Sequence, residues 1–225
     1  RVFELERRVS QLYMGVKRKT YREMIVVNNK KELKELIDQL IEERGPNCDL
    51  NDIDVSNITD MSFLFVSSKF NGDISRWDVS RVEDMSYIFA DSYFNGDISG
   101  WDVSNVKYMN YMFTWSQFND DISSWDTSNV EDTHAMFDHS QFNGDVSNWN
   151  VSKVRSMSYM FADSPFNGDL SKWDVSNVED MLYMFADSSF NGDLSEWDVS
   201  KVEDMRCMFI NSPLSGNKPK WYRSW

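Results

Sequence analysis

Apolar residues recur along most of this chain at a fixed beat of 24 positions. Tryptophan stands at 77, 101, 125, 149, 173 and 197, and Trp221 keeps the beat. Phenylalanine forms two further files, one at 65, 89, 113, 137, 161, 185 and 209 and one at 70, 94, 118, 142, 166 and 190. A Val/Ile-x-x-Met signature begins at Ile58, Val82, Val106, Val130, Val154, Val178 and Val202, with Thr133 once in place of Met. Self-similarity at such a period marks a repeat array, in which each unit buries its apolar face only against its neighbours. The first copy, from Asp49, is worn and has Ile53 at the tryptophan position, and the last, from Leu214, is degraded.

Within one unit the polar positions suggest local structure. Val82, Met85, Ile88 and Phe89 share a helical face, and Ser80 with Glu83 spells a capping box, so a helix of one or two turns is expected there. Alone it would be too short to persist, and it requires stacking. Asn71-Gly72 is a turn dipeptide, and the alternation at Trp77 and Val79 predicts a short strand. Stacked units would set such strands about 4.8 Å apart in a parallel sheet. The alternative register puts the strand at Met-x-x-Met-Phe. Ring against ring, the phenylalanine and tryptophan files would form the core.

Ahead of the array the pattern changes. The spacing of Val2, Phe3, Leu5, Val9, Leu12, Tyr13 and Val16 predicts a helix over about 2–15. Lys17 to Arg22 is a basic stretch, read as solvated surface, with docking to an acidic partner or to the array itself as alternatives. Met24 to Val27 reads as a strand, and Asn28 or Asn29 then caps a helix. Leu33, Leu36, Ile37, Leu40 and Ile41 make one apolar stripe, which Gly45-Pro46 ends. That stripe is expected to cover the open end of the array. The expected organisation is a helix-strand-helix capping segment over 1–48, seven coils over 49–217, and a C-terminal cap over 218–225.

The unit Phe-Asn-Gly-Asp-Ile/Leu-Ser-x-Trp-Asp-Val-Ser-x-Val-x-Asp-Met-x-x-Met-Phe resembles the bacterial surface-protein repeat of the BspA-like leucine-rich-repeat class, also known as a domain of unknown function in mycoplasma lipoproteins. The resemblance covers 49–217, about three quarters of the chain. It implies an α/β repeat solenoid, leucine-rich-repeat-like and right-handed, with short parallel strands and short helices. It also implies a binding role, often at cell surfaces, and brings no catalytic residues. Met and aromatics take most leucine positions here, and no asparagine ladder matches the Leu-x-x-Leu-x-Leu-x-x-Asn consensus.

Charge divides the chain. The net charge is −14, but residues 1–48 carry 11 Lys and Arg against 8 Asp and Glu, whereas 49–225 carry 12 against 29. An acidic array repels nucleic-acid backbone, so direct nucleic-acid binding is not expected of it. The charge serves solubility, recognition of a basic partner, or imitation of nucleic acid to block a basic enzyme. No apolar run approaches the roughly 20 residues of a membrane helix. Cys48 and Cys207 lie at opposite ends of the array and are expected as free thiols, which favours a reducing compartment. No signal-peptide pattern is visible in a chain that starts at Arg1. The resemblance puts the protein at a cell surface or in secretion, with the cytoplasm as the close alternative.

Chemistry is sparse. His134 and His139, beside Asp138, offer too few ligands for a zinc centre, and no cofactor is expected. The aspartates at 73, 97, 121, 145, 169 and 193 read as turn caps and not as calcium ligands. No Ser-His-Asp set, phosphate loop or paired-carboxylate pocket is present, so no enzymatic activity is expected. Function is left to positions where the copies differ. One file holds Phe63, Tyr87, Tyr111, Ala135, Tyr159, Tyr183 and Cys207, and another holds Ser67, Asp91, Trp115, His139, Asp163 and Asp187. Lys107, Tyr108, Thr133 and Arg155 also break the pattern in the middle copies. Exposed aromatics suit recognition, so Tyr87, Tyr111, Trp115, His139, Tyr159 and Tyr183 are the expected contact surface for a protein partner. An acidic decoy for a basic enzyme and a carbohydrate-binding adhesin are the rival readings.

Overall fold

The computed structural model describes residues 24–223, so the helix expected over 2–15 and the basic stretch after it lie outside the described residues. Among the described residues of the N-terminal segment, β1 (Ile25–Val26) is followed by α1 (Lys30–Arg44). Asn29 is the N-cap, its side chain accepting from the Glu32 N–H, while the Gly45 N–H, at φ 88°, closes the other end on the Ile41 carbonyl. Leu33, Ile37 and Leu40 are buried in the common core, with Leu36 and Ile41 partly buried against it. The stripe thus covers the first coil. Ion pairs Lys30–Asp60 and Arg44–Asp52 fasten its two ends there. β1 pairs in parallel with β2 (Ile53–Asp54), Ile25 opposite Ile53.

Beyond β2 the coils stack in register. Parallel bridges join Asp60 to Asp84, Asp84 to Tyr108, Tyr108 to Asp132, and so on to Asp204, always 24 residues apart. After each bridge, alternate N–H groups reach the next coil. Those of Met85, Tyr87, Phe89 and Asp91 donate to the carbonyls of Tyr108, Asn110, Met112 and Thr114. This hydrogen-bonded side corresponds to the alternative register at Met-x-x-Met-Phe. The stretch around Trp77 and Val79 forms no ladder with its copies.

The short helices expected in each coil are absent among the described residues. Consecutive turns take their place: the Ile88 N–H donates to Met85 and the Ala90 N–H to Tyr87. The reason is backbone sign. Tyr87 and Asp91 sit at φ 59° and 51°, as do their copies in every coil, and a left-handed residue every four positions cannot continue a right-handed helix. Donors that a helix would turn inward go instead to the neighbouring coil.

Nor does Ser80 cap a helix with Glu83. Its N–H and hydroxyl both donate to Asp78. The same Asp-x-Ser turn occurs at Asp73–Ser75 and Asp84–Ser86, so one coil carries three such corners. The file from Asp73 to Asp193 caps turns in each coil, as at Asp121–Ser123 and Asp169–Ser171. These bonds hold the carboxyls of Asp121, Asp145, Asp169 and Asp193 below the usual carboxylate range, the serine N–H contributing first and its hydroxyl second.

The core is a set of ring columns. Phe113 stacks on Phe89 and Phe137 at centroid distances of 5.7 Å each, and on Phe118 of its own coil at 4.2 Å. In the tryptophan file Trp77 stacks on Trp101 and Trp125 on Trp149, and each member from Trp77 on donates its indole N–H to a carbonyl of the preceding coil, as Trp101 does to Ile74. Trp221 continues the column, 6.2 Å from Trp197, and donates to Leu194. Tyr222 lies against Phe209 beside it, so this stretch closes the array. An asparagine ladder does exist, in the Phe-Asn-Gly-Asp stretch. Asn71 Oδ1 accepts from the Asn95 N–H, Asn95 from Asn119, and the series runs to Asn191. Gly72, which follows Asn71, is needed for space and not for a positive φ: a Cβ there would lie 1.9 Å from the Cys48 carbonyl oxygen, whereas one copy carries Asp120 at this position. Both cysteines are free thiols, Cys48 buried and Cys207 half-buried.

Candidate functional site

All six expected contact residues occupy left-handed backbone positions, Tyr87, Tyr111, Tyr159 and Tyr183 in one file and Trp115 and His139 in the other. Asp and Asn tolerate this conformation because their short side chains bond locally, and the second file uses them at Asp91, Asp163, Asp187 and Asn211. Tyr and Trp have no such relief. Their rings are held by one another.

The tyrosine file is a stack along the surface. Phe63 to Tyr87 is 4.6 Å, Tyr87 to Tyr111 is 4.4 Å, and Tyr159 to Tyr183 is 5.0 Å. Between Tyr111 and Tyr159 the file has Ala135, which is buried. The space is taken by His134, whose ring stands edge-on to Tyr111 at 4.7 Å and to Tyr159 at 6.0 Å. Its Nε2 is 2.6 Å from the Tyr111 hydroxyl, and its Nδ1 meets Ser158. The column is therefore continuous, a role that sequence reasoning, which weighed His134 only as a metal ligand, did not assign to it. The available signal was the pairing itself: the histidine stands where the three preceding copies have Ser62, Ser86 and Asn110, next to the file's only alanine. The tyrosines are half-buried, with Phe63 the exposed end of the stack. Burial pushes the phenols of Tyr111 and Tyr159 up, and a hydrogen bond with Cys207 does so for Tyr183.

In the second file Trp115 and His139 stack at 3.9 Å, their planes nearly parallel at 17°. Trp115 is 58% exposed. The Asp138 carbonyl accepts from the Trp115 N–H and from the Thr114 hydroxyl, which locks this rung. The Asp138 side chain replaces Ala or another small or apolar residue of its file and lies half-buried beside both files. It accepts from His139 Nδ1 at 2.8 Å. Burial pushes its carboxyl up, against the pull of His139 and, further off, His134. His139 Nε2 lies 3.4 Å from Asp163. Asp138, His139 and Asp163 thus converge although 24 residues separate the last two.

The other pattern-breaking residues divide by role. Thr133 is buried and donates its hydroxyl to Ser156, so it belongs to the core. Lys107 and Arg155 pair with Glu83 and Glu179 across coils. Tyr108 is exposed at a bridge position. A cleft lined by Glu131, Lys153, Arg155, Glu179 and Lys201 and another at Asn191–Glu196 and Lys218–Lys220 contain none of the six. Among the described residues no helix is long and apolar enough to cross a membrane.

Stacked coils with one aromatic file and a stacked Trp115–His139 pair on their surface define a repeat protein. The family model described as "Mycoplasma protein of unknown function, DUF285" matches residues 32–141 and again 114–221, and the chain belongs to that family. No curated protein and no solved structure matches it.

Proposed function

We propose that the chain is a non-enzymatic scaffold, a leucine-rich-repeat-like solenoid, that binds a protein partner through the face bearing Tyr87, Tyr111, Trp115, His139, Tyr159 and Tyr183. One observation carries this reading. Trp115 is exposed and stands at φ 57°, a conformation costing roughly 1–3 kcal/mol for a residue of its kind. Core packing does not account for a large ring held in that state in open solvent, and exposed Trp suits an interface anchor. The tyrosine stack supports the reading because stacked rings are already ordered, which lowers the entropy lost on binding.

Charge suggests the partner's chemistry. Asp91 and Asp163 flank the Trp115–His139 pair in their file, within an array rich in acidic residues. An Arg or Lys laid over Trp115 would gain cation–π attraction and a carboxylate beside it. The family resemblance points to a bacterial cell surface or secretion. The test is titration of a partner captured with the full chain. Trp115→Ala should weaken binding at least tenfold with an unchanged melting temperature, and unchanged affinity refutes the reading. The acidic array also favours a second reading, a decoy for a basic nucleic-acid-binding enzyme. Binding that collapses between low and moderate salt, with no effect of Trp115→Ala, would select it.

A further inference from the structure

We infer that His139 and Asp163 form a binding site for a divalent transition-metal ion, oriented by Asp138. The sequence offered two histidines and one neighbouring aspartate. Stacking of the coils adds Asp163, and the three residues' ligand atoms lie within 4.8 Å of one another.

The separations match the chemistry. His139 Nε2 and Asp163 Oδ2 are 3.4 Å apart, long for a hydrogen bond. A tetrahedral ion at about 2.1 Å from each donor sets its donors about 3.4 Å apart. On the other side of the ring, Nδ1 is 2.8 Å from Asp138 Oδ1. A carboxylate accepting the Nδ1 proton leaves the Nε2 lone pair free and fixes the ring, the usual support of a metal-binding histidine. The stacked Trp115 ring holds the imidazole plane from a third direction. Three departures from the repeat, Trp115, Asp138 and His139, meet at this one place.

One imidazole and one carboxylate suit ions of the zinc, nickel, cobalt and copper group. Both side chains are partly exposed, at 33% and 44%, so an ion enters from solvent and its remaining positions are filled by water. His134 is no part of the site, since both its ring nitrogens are engaged by Tyr111 and Ser158. The site stands whether or not the aromatic face binds a protein.

The experiment is titration of the full chain with zinc chloride by calorimetry and with Co²⁺ by tryptophan emission. One saturable site is expected, with Co²⁺ quenching the solvent-exposed emission component that Trp115→Phe removes. His139→Gln and Asp163→Asn should abolish the saturable phase. Asp138→Ala, which removes the acceptor, should weaken it roughly 10- to 100-fold, and His134→Gln should leave it unchanged. Unsaturable uptake alone, or a saturable phase surviving in His139→Gln, means that the acidic surface collects the ion and overturns the site. Unchanged affinity in Asp138→Ala overturns the orienting role.

Discussion

The filling of the tyrosine column by His134 can be tested by exchanging the repair for the consensus. In His134→Ser the ring between Tyr111 and Tyr159 is lost, together with the bond to the Tyr111 hydroxyl. An aromatic pair contributes about 0.5–1.5 kcal/mol beyond its buried area, and a hydrogen bond a similar net amount. The single variant should therefore lose about 2 kcal/mol. In Ala135→Tyr a new ring enters the file at a backbone position whose φ, 51°, is close to the 57° of Tyr111 and Tyr159. The space is still held by His134, so this variant should cost about 1–3 kcal/mol through overpacking. The double variant, His134→Ser with Ala135→Tyr, rebuilds an unbroken column of tyrosines beside a serine, the pairing that Ser86 with Tyr87 and Ser158 with Tyr159 already show. It should be close to wild type, which makes the coupling about 3–5 kcal/mol in favour of the pair. Equilibrium urea unfolding followed by near-ultraviolet circular dichroism measures all four corners of the cycle. Single effects that add to within about 0.5 kcal/mol would show that His134 and Ala135 do not share one space.

Two further outcomes concern stability. Phe137 is fully buried and stacks on Phe113, Phe142 and Phe161, so Phe137→Ala should cost about 3–5 kcal/mol in the same unfolding measurement, and a loss under about 1 kcal/mol would contradict the ring-column core. Asp121, Asp145, Asp169 and Asp193 have depressed folded-state values, so their contribution is present above the unfolded value of about 3.9 and is lost as pH falls through the lower folded values. The melting temperature should fall below about pH 4, less steeply in Asp145→Asn, which keeps the turn acceptor without the titration. An identical acid limb in that variant would show that the turn carboxylates play no part.

The helix α1 was legible because each of its signals is local: a cap at Asn29, a stripe from Leu33 to Ile41 and a stop at Gly45. The ring files were legible because the 24-residue beat puts like residues in contact once the coils stack. The coil's own backbone was misread. Val82, Met85, Ile88 and Phe89 fit a helical face, yet two left-handed residues per coil turn the chain instead, and a Tyr or Trp gives no hint of positive φ as Gly would. The asparagine ladder escaped because its consensus was sought at the leucine-type position, whereas Asn71 and its copies follow phenylalanine.

By itself, then, the sequence determined the period, the composition of the core, the cap at its start and the acidic charge, all of which follow from residue type and spacing. The tertiary structure decided which backbone groups bond between coils, that His134 stands in for a missing tyrosine, and that Asp163 reaches His139. These are relations between residues about 24 positions apart. They depend on the sign of φ and on the register of one coil over the next, because a small change in either turns a different side chain toward the same space.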